Sequence, residues 1–170
     1  AVDLHQPGQG RSADARAWMY GFTQGSQLLP YGWFRALERP EDATLFRADG
    51  LARFGYIPNP GGIDQLPVGF AIDTDRRGLW LGMNCAACHV GQVVHEGTTW
   101  QIDGAPSNAD LQGLLDELNR AMKATLADGE KFARFACRVS AQNARADPRT
   151  LRRELAEFSA RFDDFVAGSL

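Results

Sequence analysis

Ligand-bearing side chains are scarce in this chain of 170 residues, which has three cysteines, three histidines and three methionines. There is no second C-x-x-C and no H-x-x-x-H, so the other half of a structural zinc site is missing. No βαβ pattern surrounds the cysteines, which argues against a thioredoxin-like redox pair. No run of about 18 apolar residues occurs, so no membrane-spanning helix is expected. An excess of one charge is lacking as well. The net charge is −3, and nucleic acid is not an expected partner. Repeats and low-complexity stretches are absent.

The chain does have a core-forming composition, 44% hydrophobic with four Trp and ten Phe, and this excludes disorder. Its length suits a single domain over 1–170. The most informative stretch is Cys85-Ala86-Ala87-Cys88-His89. This is C-x-x-C-H, the attachment signature of a c-type haem. Two thiols one turn apart add to the two vinyl groups of one porphyrin. The adjacent His89 then supplies the proximal ligand to iron. One covalent haem c, held by Cys85, Cys88 and His89, is therefore the expected cofactor. Trp80 to Asn84 before the motif and Val90-Gly91 after it read as a short buried helix. Cys137, left without a partner, reads as a buried apolar thiol, with an intermolecular disulfide as the lesser option.

Around the motif, residues 1–11 read as an irregular arm. Ser12 caps a helix from Ala13 to about Phe22, with Trp18 and Phe22 at i, i+4. Pro30 and Pro40 bracket a short helix. Asp42 opens another that runs to Phe54 and stops at Gly55. Leu66 to Ile72 is extended, and Pro67 keeps it off a central strand. Two β-rich runs flank Glu96-Gly97 as a hairpin. Three amphipathic helices follow. The first is capped by Asn108 and carries Leu111, Leu114, Leu115, Leu118, Met122 and Leu126. The second opens at Asp128. The last, 148–167, is capped by Asp147 with Pro148 in its first turn. The expected fold is mostly α, a cytochrome c-like helical haem domain with a small β-hairpin. Arg145, Arg149, Arg152 and Arg153 cluster near the last helix start, as a solvated face or a docking patch for an acidic redox partner or haem propionates.

Function turns on the sixth iron ligand. A six-coordinate haem passes electrons, whereas an open one binds oxygen or peroxide. His95 is only six residues past His89 and stays on the same side of the porphyrin. His5 sits in the arm. Met83 is close to the haem edge, and Met19 reads as core. Met122 is the best-placed candidate, although a Met on a leucine stripe also reads as packing. Trp33, Phe34, Phe70, Trp80 and Trp100 are candidate pocket walls.

Several stretches together resemble a known family. They are Gln24-Gly25-Ser26, Pro30 to Glu38, Leu45-Phe46-Arg47, Leu66 to Phe70, Asn84 to His89, and Ile102 to Pro106. They resemble the first haem domain of the rubber oxygenase group, within the bacterial di-haem cytochrome c peroxidase-like proteins, over nearly all of 13–135. The resemblance implies an exported haem protein with His89 as proximal ligand and an accessible distal side. In that family a second haem with its own C-x-x-C-H relays electrons, whereas this chain has one C-x-x-C-H; it reads as a separate single-haem protein, a fragment, or one subunit of an assembly, with a redox protein or a second haem-bearing subunit as the expected partner. Covalent haem attachment, and an N-terminus that reads as a mature end, point to the periplasm. The expected function is a mono-haem electron carrier, with a haem-dependent peroxidase or oxygenase domain as the alternative.

Overall fold

The first helix starts where the chain offers a cap. In the computed structural model, which describes residues 3–7, 9–142 and 147–168, the Ser12 hydroxyl accepts a hydrogen bond from Ala15 N at 3.1 Å and opens α1 (Ala13–Gly21). Trp18 and Phe22 stack at 4.3 Å, as their spacing suggests. The chain divides into two compact units, residues 1–30 with 49–110, and residues 31–48 with 111–170.

Among its described residues the first unit contains α1 and six strands: β1 (Asp3–His5), β2 (Leu29–Pro30), β3 (Phe70–Asp75), β4 (Gly78–Met83), β5 (Val90–His95) and β6 (Thr98–Asp103). They form two three-stranded sheets, ordered β2-β4-β3 and β1-β6-β5. β3 and β4 are antiparallel, from Phe70 opposite Met83 to Asp75 opposite Gly78. Pro67 precedes β3, which is an edge strand, as a residue without an N–H requires. β5 and β6 form the expected hairpin. Glu96 and Gly97 both have positive φ, 47° and 79°, as tight hairpin turns demand. β1 runs parallel to β6, so part of the stretch expected to be irregular is strand.

The second unit is helical: α2 (Tyr31–Ala36), α3 (Leu111–Ala127), α4 (Gly129–Gln142) and α5 (Pro148–Ala167). The apolar stripes decide which faces turn inward. Leu114, Leu118 and Met122 of α3 and Leu155 of α5 are essentially inaccessible. Asp128 accepts from Glu130 N and Lys131 N at the start of α4. Asp147 accepts from Thr150 N at 2.8 Å and caps α5. Trp33 meets Phe135 and Phe158 edge-on. Glu38, buried, takes a two-pronged bond from Arg134 at 2.8 Å and a third from Arg138. Lys131 stands 3.6 Å away and donates to the Arg39 and Asp42 carbonyls. The Arg134 bonds, aided by Arg138 and opposed by burial, hold the Glu38 carboxyl down at about 2.

Four further expectations need correction. The described residues are about 47% helical and 18% strand, so the fold is an α/β mixture and not a mostly-α cytochrome c-like domain. The segment around the haem motif is not a helix. It is β4, one 3₁₀ turn at Cys85–Ala87, then β5. Gly78–Met83 is captured by cross-strand pairing to β2 and β3, which overrides any helical tendency. The helix expected from Asp42 to Phe54 shrinks to a 3₁₀ turn at Ala52–Phe54. Its first part is held instead by a bridge between Glu38 and Leu45 and by Asp42 accepting from Thr44 N. Leu51, at φ 64°, stops any helix running through. Finally, Cys137 is exposed on α4 and is not a buried thiol.

Candidate functional site: the Cys85–His89 turn

The motif is a tight turn joining a strand of one sheet to a strand of the other. Asn84 builds it. Its side-chain oxygen accepts from Ala86 N at 2.8 Å, and its amide nitrogen donates to the Met19 and Phe22 carbonyls at the end of α1. One buried amide thus caps the turn and fastens it to α1. Within the turn, His89 N donates to the Cys85 carbonyl at 2.8 Å. Beyond it, Gly104 N donates to the His89 carbonyl and Ser107 N to that of Cys88.

Gly69 lets the turn sit this low. Its φ is +82°, and a Cβ there would lie 1.9 Å from Ala87 N and 2.4 Å from Ala87 Cα. Only glycine combines that conformation with that approach. Gly69 also donates to the Tyr20 carbonyl and accepts from Asn84 N. Beside it, Tyr20, Val68, Ala86 and Val90 form a buried cluster with Met19 and Ile57 against it.

The result is a two-faced turn. Ala86 and Ala87 point into the core at 5% and 3% exposure, while Cys85, Cys88 and His89 are exposed. The Cys85 thiol and backbone N–H both reach the Gln24 side-chain oxygen, at 3.4 and 3.2 Å. The His89 imidazole makes no hydrogen bond among the described residues.

Behind the turn lies a narrow crevice lined by Tyr56, Val68, Ala86, Ala87, Val90 and Ser107, too tight for a water molecule. A planar cofactor does not fit there, so a group joined to the two thiols would lie on their outer side. The donor set suits a covalent haem: two accessible thiols on one turn and an adjoining unengaged imidazole. The Tyr56 hydroxyl is buried without a hydrogen-bond partner among the described residues, and burial pushes its phenol well above the ordinary range.

A polar hub stands nearby. Asp103, at the end of β6, accepts from Tyr20 OH at 2.7 Å and Arg16 Nε at 3.0 Å. Gln101 donates to the Tyr20 oxygen at 2.9 Å. Burial, with the Asp103 bond, raises the Tyr20 phenol to about 12. The hub ties α1 to β6, whose end leads to the Gly104 that holds His89.

The other candidate ligands are dispersed. Met122 belongs to the second unit, where it is fully buried on α3, the helix that packs against α4 and α5. Met19 is half-buried on α1, Met83 ends β4, and His95 is exposed at the end of β5. His5 lies on β1 and its side chain is outside the described residues. Phe70 packs on Tyr56 at 4.8 Å. Trp80 donates to Asp75 and lies under Arg77. Trp33 and Phe34 pack within the second unit, and Trp100 lies on β6. In the basic cluster Arg149, Arg152 and Arg153 are exposed, while Arg145 lies outside the described residues. Among the described residues no three or more His, Cys, Asp or Glu gather as a metal-binding group, and no helix is long and apolar enough to cross a membrane.

Spacing alone did not reveal Gln24, Tyr56, Gly69 or Asn84. Three of them, all but Tyr56, lie in stretches that carry the family resemblance.

An α/β unit that presents two thiols and an imidazole on one outward turn is the setting in which the comparisons with known proteins stand. No family model matches the chain, and no solved structure does. The chain is similar to the uncharacterized protein y4iJ of Sinorhizobium fredii, with 32% identity over 154 residues. The match covers 77% of this chain and 26% of that protein, so the chain spans about a quarter of its relative.

Proposed function

We propose that the Cys85–His89 turn is the attachment site of one covalent c-type haem. In this reading Cys85 and Cys88 are the thioether anchors, His89 is the proximal iron ligand, and the chain is an exported module that carries single electrons to or from a redox partner. The observation that carries the reading is the division of the turn: its two alanines are buried and its two thiols and imidazole are presented together outside.

When bound, the haem supplies a one-electron iron couple. The chain fixes its orientation. Asn84 sets the spacing of the two sulfurs by capping the turn, and Gln24 holds the Cys85 end. Gly104 grips the His89 carbonyl, which fixes the backbone from which the imidazole projects. The Ala86–Ala87 side closes the core behind the sulfurs and keeps water out. The stretches resembling the rubber oxygenase group meet at this turn, since Gln24, Gly69, Asn84 and Gly104 all bond to it or pack on it. This supports assigning the chain to that group's first haem domain and placing it in the periplasm.

The alternative is a peroxidase- or oxygenase-type domain with an open distal iron. The burial of Met122 in its own helical core favours that reading over methionine ligation.

The test is expression with a haem c maturation system. The expected results are a mass increase of one haem, which Cys85→Ala/Cys88→Ala abolishes, and a spectrum that survives acid–acetone extraction. A polypeptide with the mass of its amino acids alone would refute the proposal. Adding carbon monoxide to the reduced holoprotein separates the readings, because an open iron shifts its spectrum and a six-coordinate one does not.

A further inference from the structure

Asp103 is anchored more heavily than the end of a hairpin strand requires. Its carboxylate accepts from the Tyr20 hydroxyl at 2.7 Å and from Arg16 Nε at 3.0 Å, with Arg11 at 3.6 Å. One amide clamps its main chain from both sides: Gln9 donates to the Asp103 carbonyl at 3.0 Å and accepts from Asp103 N at 2.9 Å. The carboxylate side chain is only 2% exposed. A buried ion pair is weak evidence for stability, because well-packed apolar side chains would join α1 to β6 at least as well. What charge-assisted bonds add is direction, since they hold one point of the backbone in one place.

That point lies against the His89 end of the attachment turn. Asp103 pairs with Val90, the residue after His89. The next residue, Gly104, donates to the His89 carbonyl at 2.7 Å, and Ser107 N reaches the Cys88 carbonyl at 2.9 Å. Ala105 and Pro106 close over Gly91, where a Cβ would lie 2.6 Å from the Pro106 carbonyl oxygen. Residues 103–107 thus form a saddle that grips two carbonyls of the turn. The His89 imidazole makes no hydrogen bond among the described residues, so the main chain held by this saddle sets where it projects from.

We propose that Asp103 is a positioning residue for His89: anchored by Arg16 and Tyr20, it fixes the saddle that keeps the imidazole on the iron of the group carried by Cys85 and Cys88. The inference rests on the haem reading above. The saddle acts through the backbone of the turn, so it governs how firmly the imidazole binds and not whether the two sulfurs attach. Support of this kind behind a metal-bound histidine is commonly worth about tenfold or more in metal affinity.

The test is Asp103→Asn in the haem-loaded protein. The amide of equal size sets an N–H against either Arg16 or the Tyr20 hydroxyl and leaves both cysteines in place. Haem content by mass is expected to be unchanged. Lowering the pH protonates His89 and takes it off the iron, which the absorption spectrum reports. That step is expected about one pH unit higher in the variant, a tenfold weaker hold on the iron, while far-ultraviolet circular dichroism still shows the folded chain. Tyr20→Phe, which removes one bond and keeps the carboxylate, is expected to move the step the same way by less, and it decides the matter if Asp103→Asn gives no folded protein. Ligand release at the wild-type pH, or release that shifts only together with unfolding, overturns the role of Asp103 and leaves haem attachment standing. A wild-type protein that carries no haem overturns both.

Discussion

In the first unit, contacts converge on the five residues of the Cys85–His89 turn from segments as far apart in sequence as Gln24, Gly69 and Gly104. In the second unit the stabilising contacts spread along whole helix faces, with Leu114, Leu118, Met122 and Leu155 sharing the burial. A concentrated polar feature there is the buried Glu38 among Lys131, Arg134 and Arg138. A turn built by converging backbone fails at single atoms. A stripe loses stability in proportion to the volume removed.

The sharpest way to break this contrast is Gly69→Ala. The new Cβ would meet Ala87 backbone atoms at 1.9 and 2.4 Å in a left-handed conformation, at an expected cost of about 4 kcal/mol or more. Chemical denaturation should show that loss, and covalent haem content should fall with it. Near-normal stability would mean that the turn is not seated on Gly69.

Glu38→Gln comes next. It leaves three cations around a neutral amide, and because Arg134 and Arg138 are partly exposed we expect a loss of about 3 kcal/mol. The pH dependence has a definite sign. The carboxyl is lowered from 4.5 to about 2 in the folded chain, so its contribution is complete above the unfolded value and disappears as pH falls from 4.5 through about 2. Acid titration of the thermal midpoint should lose that component in the variant.

These effects bear on what was legible in the sequence. The second unit's long helices were, because Asp147-Pro148 and the leucine and phenylalanine spacings are local signals that coincide with what the fold buries. So was the Glu96-Gly97 hairpin. The motif's conformation was not. Trp80 to Gly91 has no local signal separating a helix from two strands and a turn, and pairing with β2 and β3 decides the matter from up to some fifty residues away. The exposure of Cys137 is not legible either, because a cysteine on an amphipathic helix takes its burial from the neighbouring phase of the stripe. There Phe135, Ala136 and Val139 turn in and Cys137 turns out. The C-x-x-C-H chemistry is fully local, whereas Tyr56 and Gly69 are recognisable as site residues only once distant segments are packed.

Asn84→Ala tests the turn more gently. It removes three hydrogen bonds made by a buried amide, and we expect a loss of about 2 kcal/mol. A loss confined to the haem-free chain would show that the attached group can replace the cap. The smallest effect is expected for Met122→Leu, a volume-conserving change at a fully buried site, worth about 1 kcal/mol or less. Its absorption spectrum should match the wild type, and a spectral change would place the thioether on the iron.

The amide of Asn84 reaches back to the carbonyls of Met19 in α1 and of Phe22 at its C-cap, some sixty residues earlier in the chain. The pentapeptide is therefore not a portable cassette. Grafted onto a foreign scaffold, it would bring the sulfurs and the imidazole without the helix end and the bare glycine backbone that dictate their spacing. A minimal transplant would have to include α1, the Gly69 segment and the strand ending at Asp103.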